Sequence, residues 1–444
     1  MDDRPYFDWT AHLFDRARIA QKPEALRGIR VLDLSAIIFG PATADYLGEL
    51  GAEVIRVELP GTGDVMRIAA PEGQFWKNVS PGIFAQNHSK YHVGIDLRKP
   101  EGQDLVRRLA AKSDVLVENY RAGTLERKWG IGYRQLREIN PRLIYVANTG
   151  FGQWGPCVKR ASYDALAQAV SGFSAVSGFP GRPPLKIGIY IGDYFGACLS
   201  ALGVLAALHF RDRTGQGQFL EVAQCEALIR AMDWTWLYTG LTGKNRPQTG
   251  NRDPAACPSG IYPCRDGFVA VVAGHDEEFR GLCRAMGRED LLADPRFATR
   301  AARAEEAHAE ALDEQIGAWV RALTREEVEA LARRNHFAAA AVATARDHYE
   351  DAHLQARGSV WEMEDPVYGT MVEHGPAPKL SETPARYKWA AKPVGFHNEY
   401  VLGRLLGLDP EQLKELERRG VIGKWADRRG PKPPDDWSGE GILE

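Results

Sequence analysis

The sequence predicts an α/β fold in which a large domain with a mostly parallel sheet precedes a smaller α+β domain. Strand-like and helix-like segments alternate from Gly28 to about residue 225, a pattern typical of a parallel sheet with helices on both faces. A short hairpin pattern around Arg265-Asp266-Gly267 then precedes a run of charged helical segments. We therefore expect a Rossmann-like large domain and a second, smaller domain.

Composition divides the chain into five predicted parts. They are an N-terminal arm (1–27), a large α/β domain (28–225), a linker helix and loop (226–258), a small α+β domain (259–360) and a C-terminal segment (361–444). The C-terminal segment has no strand set of its own, so we expect it to pack against the large domain. Its end, Arg428–Trp437, is rich in Pro, Arg and Asp, and we expect it to be loose.

The predicted strands of the large domain are short runs rich in β-branched residues. They are Arg30–Leu34, Glu53–Glu58, His92–Leu97, Asp114–Glu118, Arg142–Ala147 and Phe219–Ala223. The predicted helices are one from Gly40-Pro41 to Gly51, then Pro100–Ala111, Asp164–Phe173, Ala197–Phe210 and Cys225–Leu241. Later predicted elements are the hairpin strands Gly260–Tyr262 and Phe268–Val272, helices within Glu277–Arg334, a strand-like stretch Val360–Val372 and a helix Leu402–Arg419. Ligands of such parallel sheets bind at the carboxyl ends of the strands.

The 444-residue chain has an ordinary globular composition, with 44% hydrophobic and 26% charged residues. Its formal net charge of −3 does not favour a dedicated nucleic-acid or anionic-membrane binder. The six cysteines form no C-x-x-C pair, the N-terminus lacks an apolar signal region, and we expect no apolar run long enough to span a membrane. The expectation is a reduced, soluble, cytoplasmic protein without a metal site.

Common nucleotide-binding and hydrolase motifs are missing where this fold would carry them. The segment after the first strand, Ser35–Gly40, lacks the G-x-G-x-x-G fingerprint, Gly61–Gly63 lacks its third glycine, and no Walker A motif occurs. Pro258-Ser259-Gly260 does not match the G-x-S-x-G turn of serine hydrolases. The sequence therefore disfavours nicotinamide, flavin, NTP-hydrolysis and serine-hydrolase chemistry.

One stretch, Ile187–Gly196, places a carboxylate where a predicted strand ends and a helix begins. The alternating isoleucines before Gly192 predict the end of a buried strand, and the apolar residues from Ala197 onward predict a helix. Asp193 lies at this turn, where backbone N–H groups without intrahelical partners point outward. Asp193 is either the N-cap of the helix or a catalytic carboxylate that attacks an activated acyl group, such as a thioester.

Further polar residues occupy predicted helix starts and strand ends. Asp164 begins a predicted helix and is either its N-cap or a second functional carboxylate. Lys90 belongs to a small basic cluster, and Asn119 and Tyr120 directly follow a strand with Arg127 close behind. These residues form either solvated loops or contacts to phosphate and adenine through charge, hydrogen bonding and stacking. His209, on the apolar helix, is expected to be a core histidine.

Motifs along most of the chain match those of one known family. From Gly28 to about Gly420 the chain resembles the class III CoA-transferases, which include formyl-CoA transferase, carnitine CoA-transferase and benzylsuccinate CoA-transferase. The matching stretches are Val31–Leu34 with Gly40-Pro41, Leu50–Glu58, Gly61–Asp64 with Arg67, Leu97–Gly102, Asp114–Tyr120, Ile139–Tyr145, Gly150–Pro156, Tyr163-Asp164, Gly192-Asp193 and Arg213–Gln218. Each stretch alone is weak, but all of them in order are highly specific.

The resemblance implies a catalytic role for two carboxylates. Asp193 matches the family's nucleophile, which forms an aspartyl anhydride and then an aspartyl-CoA thioester. Asp164 matches a second carboxylate that is usually Glu after Tyr. The CoA-contacting positions implied by the resemblance are Ile37, Ile38, Lys90, Asn119, Tyr120, Arg127 and Arg160. Ile38 stands where the family has glutamine, which implies a different or more apolar substrate.

The resemblance also implies an assembly and a set of substrates. Each subunit is expected to be ring-shaped and to interlock with a second one, as a homodimer or with a paralogous subunit. The expected substrates are an acyl-CoA, with succinyl-CoA as donor, and a carboxylic acid acceptor; CoA is a substrate and no cofactor or metal is permanently bound. Apolar residues that would suit an aromatic or alkyl-substituted acid such as benzylsuccinate are Ile37, Ile38, Phe39, Trp234 and Trp236.

Two alternatives remain at the level of sequence. The α-methylacyl-CoA racemases share the fold and most of these motifs, but they place a histidine directly before the other carboxylate, where this chain has Tyr163. A tyrosine with an unperturbed pKa of about 10 is a poor acid–base partner at neutral pH. The other alternative is a non-catalytic subunit of a hetero-oligomeric transferase, which the presence of Asp193 disfavours.

Overall fold

The computed structural model describes residues 4–69, 73–77 and 79–425. The chain divides into two compact units. The first consists of Met1–Ser171, Gly188–Asp233 and Ala352–Glu444, and the second of Gly172–Ile187 and Trp234–Asp351. The five domain limits given above stay a prediction, and the expected loose segment Arg428–Trp437 lies outside the described residues.

A six-stranded parallel sheet forms the centre of the first unit. Its strands are β1 (Arg30–Asp33), β2 (Glu53–Glu58), β3 (Lys90–Gly94), β4 (Val115–Glu118), β5 (Ile144–Thr149) and β6 (Phe219–Ala223). Their order is β3-β2-β1-β4-β5-β6, and every neighbouring pair is parallel. The predicted α/β class with a parallel sheet is thus confirmed. The strand order reverses between β1 and β4, which in such sheets opens a ligand crevice at the carboxyl ends.

The helices lie before, between and after these strands along the chain. The α-helices are α1 (Arg4–Leu13), α2 (Phe39–Glu49), α3 (Pro100–Ala110), α4 (Thr124–Trp129), α5 (Tyr133–Ile139), α6 (Asp164–Val170), α7 (Phe173–Val176), α8 (Ile191–Thr214), α9 (Gln224–Arg230), α10 (Thr235–Thr242), α11 (Asp276–Met286), α12 (Arg300–Arg303), α13 (Glu306–Val320), α14 (Arg325–Asn335), α15 (Ala345–Glu350), α16 (Ala352–Ala356) and α17 (Pro410–Arg418). Residues Glu399–Leu405 form a π-helix. The predicted helix Cys225–Leu241 is wrong as one element, because it is divided into α9 and α10.

Both faces of the parallel sheet are buried, which explains the near-continuous apolar runs of its strands. On one face, Leu32 and Ile55 belong to a core cluster with Leu105 of α3. On the other face, Val31 packs in a cluster with Val204 of α8. Alternate residues of one strand therefore serve two helical layers, and α8 is held directly against the sheet.

The strand predicted before Asp193 is wrong. Ile187–Tyr190 is not in a strand, Ile189 is 58% exposed, and α8 begins at Ile191. A strand requires a neighbouring strand for its backbone hydrogen bonds, and the place beside β5 is taken by β6. The alternating isoleucines alone could not reveal that competition.

The helix α8 is long and apolar enough to cross a membrane by length and composition alone, with a mean hydropathy of 1.6 over its most apolar window. The expectation that no apolar run reaches this length is therefore wrong. One such helix is weak evidence, since a core helix meets the same criterion, and 44% of this window is buried inside the protein. The buried side of α8 includes Asp193 and Arg211, besides small residues such as Ala197.

The second unit contains an antiparallel sheet. Its strands are β7 (Ser259–Cys264), β8 (Gly267–Val272) and β9 (Ala338–Ala341), in the order β7-β8-β9. The predicted hairpin around Arg265-Asp266-Gly267 is confirmed, because β7 and β8 pair antiparallel on either side of it. Leu282 of α11 and Ile316 of α13 belong to the buried core of this unit.

The chain from Ala352 onward returns to the first unit. There, β10 (Val360–Asp365) and β11 (Gly369–His374) form a hairpin, so the predicted strand-like stretch is two strands. Further on, Ile422 makes an antiparallel bridge with Ile95, just beyond the end of β3. The predicted terminal helix Leu402–Arg419 is divided between the π-helix and α17.

Candidate active site

Asp193 lies in the first turn of α8, two residues after the helix begins at Ile191. The residue is only 9% exposed. The N-cap of the helix is Tyr190, so the interpretation of Asp193 as an N-cap is wrong. The carboxylate instead occupies the first turn itself, where the positive end of the helix dipole favours a negative charge.

Gln224 orients the Asp193 carboxylate. Nε2 of Gln224 donates to Oδ1 of Asp193 over 2.9 Å, and Oγ of Ser162 donates to Oε1 of Gln224 over 3.1 Å. Gln224 begins α9 directly after β6, so its side chain starts from the carboxyl end of a sheet strand. The predicted site did not include Gln224, although a polar residue directly after a strand was a usable signal.

Asp164 caps the first turn of α8 rather than its own helix. Its Oδ1 accepts a hydrogen bond from the Gly192 N–H over 2.7 Å, and its Oδ2 accepts one from Nε2 of Gln168 over 2.6 Å. The N-cap position of α6 belongs to Tyr163, so the N-cap interpretation of Asp164 is also wrong. Gln168 was not predicted either, although its spacing of four residues from Asp164 places both on one helix face.

Two glycines allow α8 to approach its neighbours. A Cβ atom at Gly192 would lie 3.1 Å from Oδ1 of Asp164, and one at Gly196 would lie 2.7 Å from the ring of Phe39. The second distance is shorter than carbon atoms tolerate, so only glycine fits there without displacement. The residues that flank Asp193 therefore set how closely it lies to Asp164 and to the start of α2.

The environment of Asp193 makes its carboxyl group weakly acidic. Burial, followed by the negative charge of Asp164, raises the pKa of Asp193 to about 7. The hydrogen bond from Gln224 acts in the opposite direction and favours the ionised form. Near neutral pH the group consequently exists in both protonation states. Burial therefore has a larger effect on this pKa than the hydrogen bond from Gln224.

The loop after β1 is tied to the loop after β4. Oδ1 of Asn119 accepts from the Ala36 N–H over 2.8 Å, and Nδ2 of Asn119 donates to the Ala36 carbonyl over 2.6 Å. The next residue, Ile37, has a φ of 71°, a conformation that β-branched residues rarely adopt. Its N–H donates to Oδ2 of Asp64 over 2.8 Å. These bonds hold an unusual backbone at the point where the strand order reverses.

Gln86 connects this loop to the turn that carries Asp193. Its Nε2 donates to the Ile37 carbonyl over 3.1 Å, and its Oε1 accepts from the Tyr194 hydroxyl over 3.4 Å. Tyr194 directly follows Asp193. Hydrogen bonds thus link the predicted residues Asp164, Ile37 and Asn119 to the turn that carries Asp193. Ile38 itself is buried and offers little surface to a ligand.

Lys90 lies in the interior, away from solvent. It is fully buried, and its Nζ donates to Oδ2 of Asp33 over 3.0 Å and to the carbonyl of Pro41 over 2.8 Å. Asp33 is also paired with Arg56, Nη1 to Oδ2 over 2.8 Å. A buried lysine that compensates a buried carboxylate supports the sheet. The buried ammonium group of Lys90 is therefore not accessible to a phosphate group from solvent.

The other predicted CoA contacts lie nearer the surface. Tyr120 packs edge-on against Trp129, with ring centres 5.3 Å apart. Arg127 is exposed and lines a cavity of about 440 Å³, while the guanidinium of Arg160 lies 4.9 Å from the ring centre of Phe151. Within the described part of the chain, no contact joins either arginine to the Asp193 turn.

The remaining predicted side chains are Trp234, Trp236, His209 and Tyr163. Trp234 and Trp236 belong to the second unit, and the guanidinium of Arg246 lies 4.1 Å above the ring of Trp234. His209 is exposed, so the expectation of a core histidine is wrong. Tyr163 is 67% exposed. In residues 4–69, 73–77 and 79–425, no group of three His, Cys, Asp or Glu side chains is placed to hold a metal ion.

The family model described as CoA-transferase family III matches residues 26–398 of the chain. The chain belongs to this family. The resemblance predicted from the motifs is thereby confirmed, and the protein is a class III CoA-transferase. Its fold also resembles a solved CaiB/BaiF family protein from Brucella suis, with a TM-score of 0.77, 30% identity and coverage of 86% of this chain and 100% of the other.

Two relatives from Chloroflexus aurantiacus illustrate the family's named activities. Succinyl-CoA–D-citramalate CoA-transferase is 40% identical over 401 residues, which cover 90% of this chain and 98% of the relative. The beta subunit of succinyl-CoA–L-malate CoA-transferase is 35% identical over 406 residues, which cover 89% and 98%. Both class III CoA-transferases are thus similar to this chain over nearly their whole length.

Proposed function

We propose that this family III CoA-transferase moves CoA from succinyl-CoA to a short dicarboxylic acid, with Asp193 as the covalent nucleophile. The observation that carries the proposal is the buried Asp193 carboxylate in the first turn of α8, held by Gln224 within 2.9 Å. A buried carboxylate is poorly solvated, so it gains by forming a neutral acyl derivative. Because the pKa of Asp193 is about 7, a substantial fraction of its carboxyl groups is ionised at neutral pH and can attack.

The proposed cycle begins with the donor half-reaction. An oxygen of ionised Asp193 attacks the succinyl carbonyl, the C–S bond breaks, and CoA leaves as a thiolate. The thiolate then attacks the aspartyl carbonyl of the resulting anhydride and releases succinate. The product is an aspartyl-CoA thioester, which preserves the energy of the original thioester.

The acceptor half-reaction runs the same steps in reverse. The acceptor carboxylate attacks the aspartyl-CoA thioester and releases the thiolate, which leaves an anhydride between Asp193 and the acceptor. The thiolate attacks the acceptor carbonyl of that anhydride, forms the new acyl-CoA and frees the Asp193 carboxylate. No proton or electron is gained or lost over the cycle, consistent with a site that needs no cofactor.

Asp164 serves in this proposal as a positioning residue. It holds the Gly192 N–H and so fixes the turn that carries Asp193. Its charge also raises the pKa of Asp193. A shorter side chain than the family's usual glutamate thus still reaches the backbone of the catalytic turn.

CoA is proposed to bind along the carboxyl ends of β1 and β4, against Ile37, Asn119 and Tyr120. This placement is supported by the reversal of strand order between the two strands. The exposed cations Arg127 and Arg160 are proposed to bind the phosphates of CoA. Lys90 is left out of the proposed contacts because it is buried against Asp33.

The acceptor is proposed to be a substituted succinate-like acid. The relatives named above act on D-citramalate and L-malate with succinyl-CoA, which supports a short dicarboxylate here. Benzylsuccinate, the aromatic acceptor expected from the sequence, shares that dicarboxylate skeleton. Support for an apolar acyl pocket is weaker than the sequence suggested, since Ile38 and Phe39 are both buried.

The proposal is tested with the Asp193→Asn variant. Transfer from succinyl-CoA to a panel of citramalate, malate and benzylsuccinate should be abolished, and mass spectrometry of the wild-type protein with succinyl-CoA should find an acyl adduct on the Asp193 peptide. Asp212→Asn is the matched control, because Asp212 lies on the same helix with an exposed side chain. Substantial transfer by the Asp193 variant would overturn the proposal, and solvent exchange of an α-hydrogen without acceptor would indicate a racemase.

The subunit is further proposed to interlock with a second ring-shaped copy, or with a paralogous chain. The exposed side of α8 supports a protein partner, since it presents Leu202, Leu205 and Phe210 to solvent. One relative is named a beta subunit. The chain expressed alone should elute as a dimer and be active, and Leu202→Asp should shift it toward the monomer; an inactive monomer from the wild-type chain would favour the paralogous partner.

A further inference from the structure

A cavity of about 960 Å³ lies between the N-terminal arm and the segment 353–385 of the same unit. Its volume lies within the range of about 300–1,000 Å³ that is usual for small-molecule sites. The arm side is formed by residues 7–22, which precede the part of the chain matched by the family model. This arm cavity is thus built partly from residues that the family pattern does not cover.

Four cations line the arm cavity, and they are Arg16, Lys22, Arg357 and Lys379. Among the described residues that line it, Asp15 supplies the one carboxylate, and its Oδ1 accepts from the Ala17 N–H over 3.0 Å. The formal charge of the lining side chains is therefore strongly positive. Such a concave, positively charged surface attracts anions.

The partners of these cations are neutral. Arg16, Lys22 and Lys379 each donate to main-chain carbonyl oxygens rather than to carboxylates. The bonds run from Arg16 to Val360 (3.4 Å) and Glu362 (3.2 Å), from Lys22 to Leu13 (2.8 Å) and Ser381 (2.6 Å), and from Lys379 to Gly358 (3.3 Å) and Pro376 (3.0 Å). The exposed side chain of Arg357 makes no hydrogen bond or ion pair within the described part of the chain.

The cations also lie close enough to repel one another. Burial, then the positive charges of Arg357 and Arg16, lowers the pKa of Lys379. Glu49 is the one carboxyl group that acts on Lys379 in the opposite sense. The pKa of Glu49 is itself raised, first by burial and then by the neighbouring Asp45, which favours the neutral form of this carboxyl group.

Aromatic rings form the apolar part of the arm cavity. Phe7 and Phe14 line it and are 61% and 45% exposed, which is unusual for phenylalanine. Trp361 lies at its inner side, with the Arg16 guanidinium 4.3 Å from the ring centre. A ligand with a planar ring would cover these surfaces and stack beside the cations.

We propose that the arm cavity binds a small aromatic anion, at a site separate from the Asp193 turn. The anionic group, a carboxylate or a phosphate, pairs with Arg357 and Lys379, and the ring packs against Phe7, Phe14 and Trp361. Binding joins the arm to the segment 353–385 and so stabilises a part of the chain outside the family pattern. The site is independent of the reaction proposed for Asp193.

The test is isothermal titration of the full-length protein with two probes, 2-naphthoate and adenosine 3′,5′-bisphosphate. At least one probe should bind saturably, and Arg357→Glu should weaken that binding by about tenfold or more, since a charged hydrogen bond is lost and a repulsive charge is added. Ala356→Trp should weaken it too, because the exposed Ala356 lines the cavity and the larger ring fills it without changing charge. The probe that responds identifies an aromatic carboxylate or a nucleotide as the ligand class.

The matched control is Arg321→Glu. Arg321 is likewise exposed, makes no side-chain bond in the described part of the chain, and lies in the other unit. Circular dichroism and CoA-transfer activity of all three variants should equal those of the wild type, which shows that folding and the Asp193 turn are intact. Failure of both probes to bind, or equal affinity of the Arg357, Ala356 and Arg321 variants, would overturn the proposal and leave the assignment of Asp193 untouched.

Discussion

Asp164 accepts a hydrogen bond from the Gly192 N–H over 2.7 Å, so a carboxylate on α6 holds the first turn of α8 next to Asp193. The two carboxylates are coupled in a second way, because the charge of Asp164 raises the pKa of Asp193. One residue thereby fixes the position of the proposed nucleophile and adds to the effect of burial on its pKa. The two effects can be separated by substitution.

Asp164→Asn should separate charge from geometry. The amide oxygen can still accept from the Gly192 N–H, but the negative charge is lost, so the pKa of Asp193 should fall below its value of about 7. The acid limb of the kcat/KM profile should then move to lower pH. Asp164→Ala also leaves the buried Gly192 N–H unpaired and should cost about 1–3 kcal/mol of stability. An acid limb that stays in place would show that it does not report Asp193.

Gln224→Leu should move the same limb in the other direction. The hydrogen bond from Gln224 favours ionised Asp193, so its loss should raise the pKa further and reduce transfer at pH 6 more than at pH 8. Gln216→Leu is the control, because Gln216 is exposed. Equal losses at both pH values would assign Gln224 a merely structural role.

Asp193→Asn should stabilise the protein at alkaline pH although it abolishes activity. The pKa of Asp193 in the folded protein lies above the ordinary value of 3.8, so the contribution of Asp193 to stability is favourable below about pH 4 and is lost as the pH rises toward about 7. A neutral amide avoids that loss, so the free energy of unfolding should rise by up to a few kcal/mol at pH 8. Thermal melts of both proteins at pH 4 and pH 8 measure it, and a gain that is no larger at pH 8 would contradict the prediction.

Gly196→Ala should disturb the first turn of α8, which carries Asp193. Its Cβ would lie 2.7 Å from the Phe39 ring, so α8 must shift, which should cost about 1–3 kcal/mol and lower kcat. Gly240→Ala is the matched control, since Gly240 is helical and no atom lies within 4 Å of its added Cβ. There alanine should stabilise by up to about 1 kcal/mol. Equal melting temperatures for the two variants would refute the packing argument.

Lys90→Met distinguishes a structural lysine from a CoA ligand. Removal of the buried ammonium leaves Asp33 with one cation fewer, and breaking such a pair should cost about 3–5 kcal/mol of stability. Arg127→Ala, at an exposed position, should instead raise KM for succinyl-CoA with little change in melting temperature. A Lys90→Met variant with normal stability and a raised KM for succinyl-CoA would instead identify Lys90 as a CoA ligand.

Residues near each other in sequence carried enough information for the fold class and the family. The apolar runs of β1, β2, β4 and β5 are buried on both faces, so their composition alone predicts a parallel sheet. The Gly192-Asp193 turn is a local feature as well. The local sequence pattern also placed Asn119 and Tyr120 directly after a strand, because the end of a strand can be predicted from neighbouring residues.

The sequence by itself thus determined the fold class, the parallel strands of the large sheet and the family. Only the tertiary structure decided that Ile187–Tyr190 is not a strand, that Lys90 is interior, and that Gln224 reaches Asp193. Each of these depends on a partner distant in sequence: β6 beside β5, Asp33 beside Lys90, and α9 beside α8. The weak acidity of Asp193 has the same origin, because Asp193 becomes buried and lies close to the charge of Asp164 only once the two helices have packed.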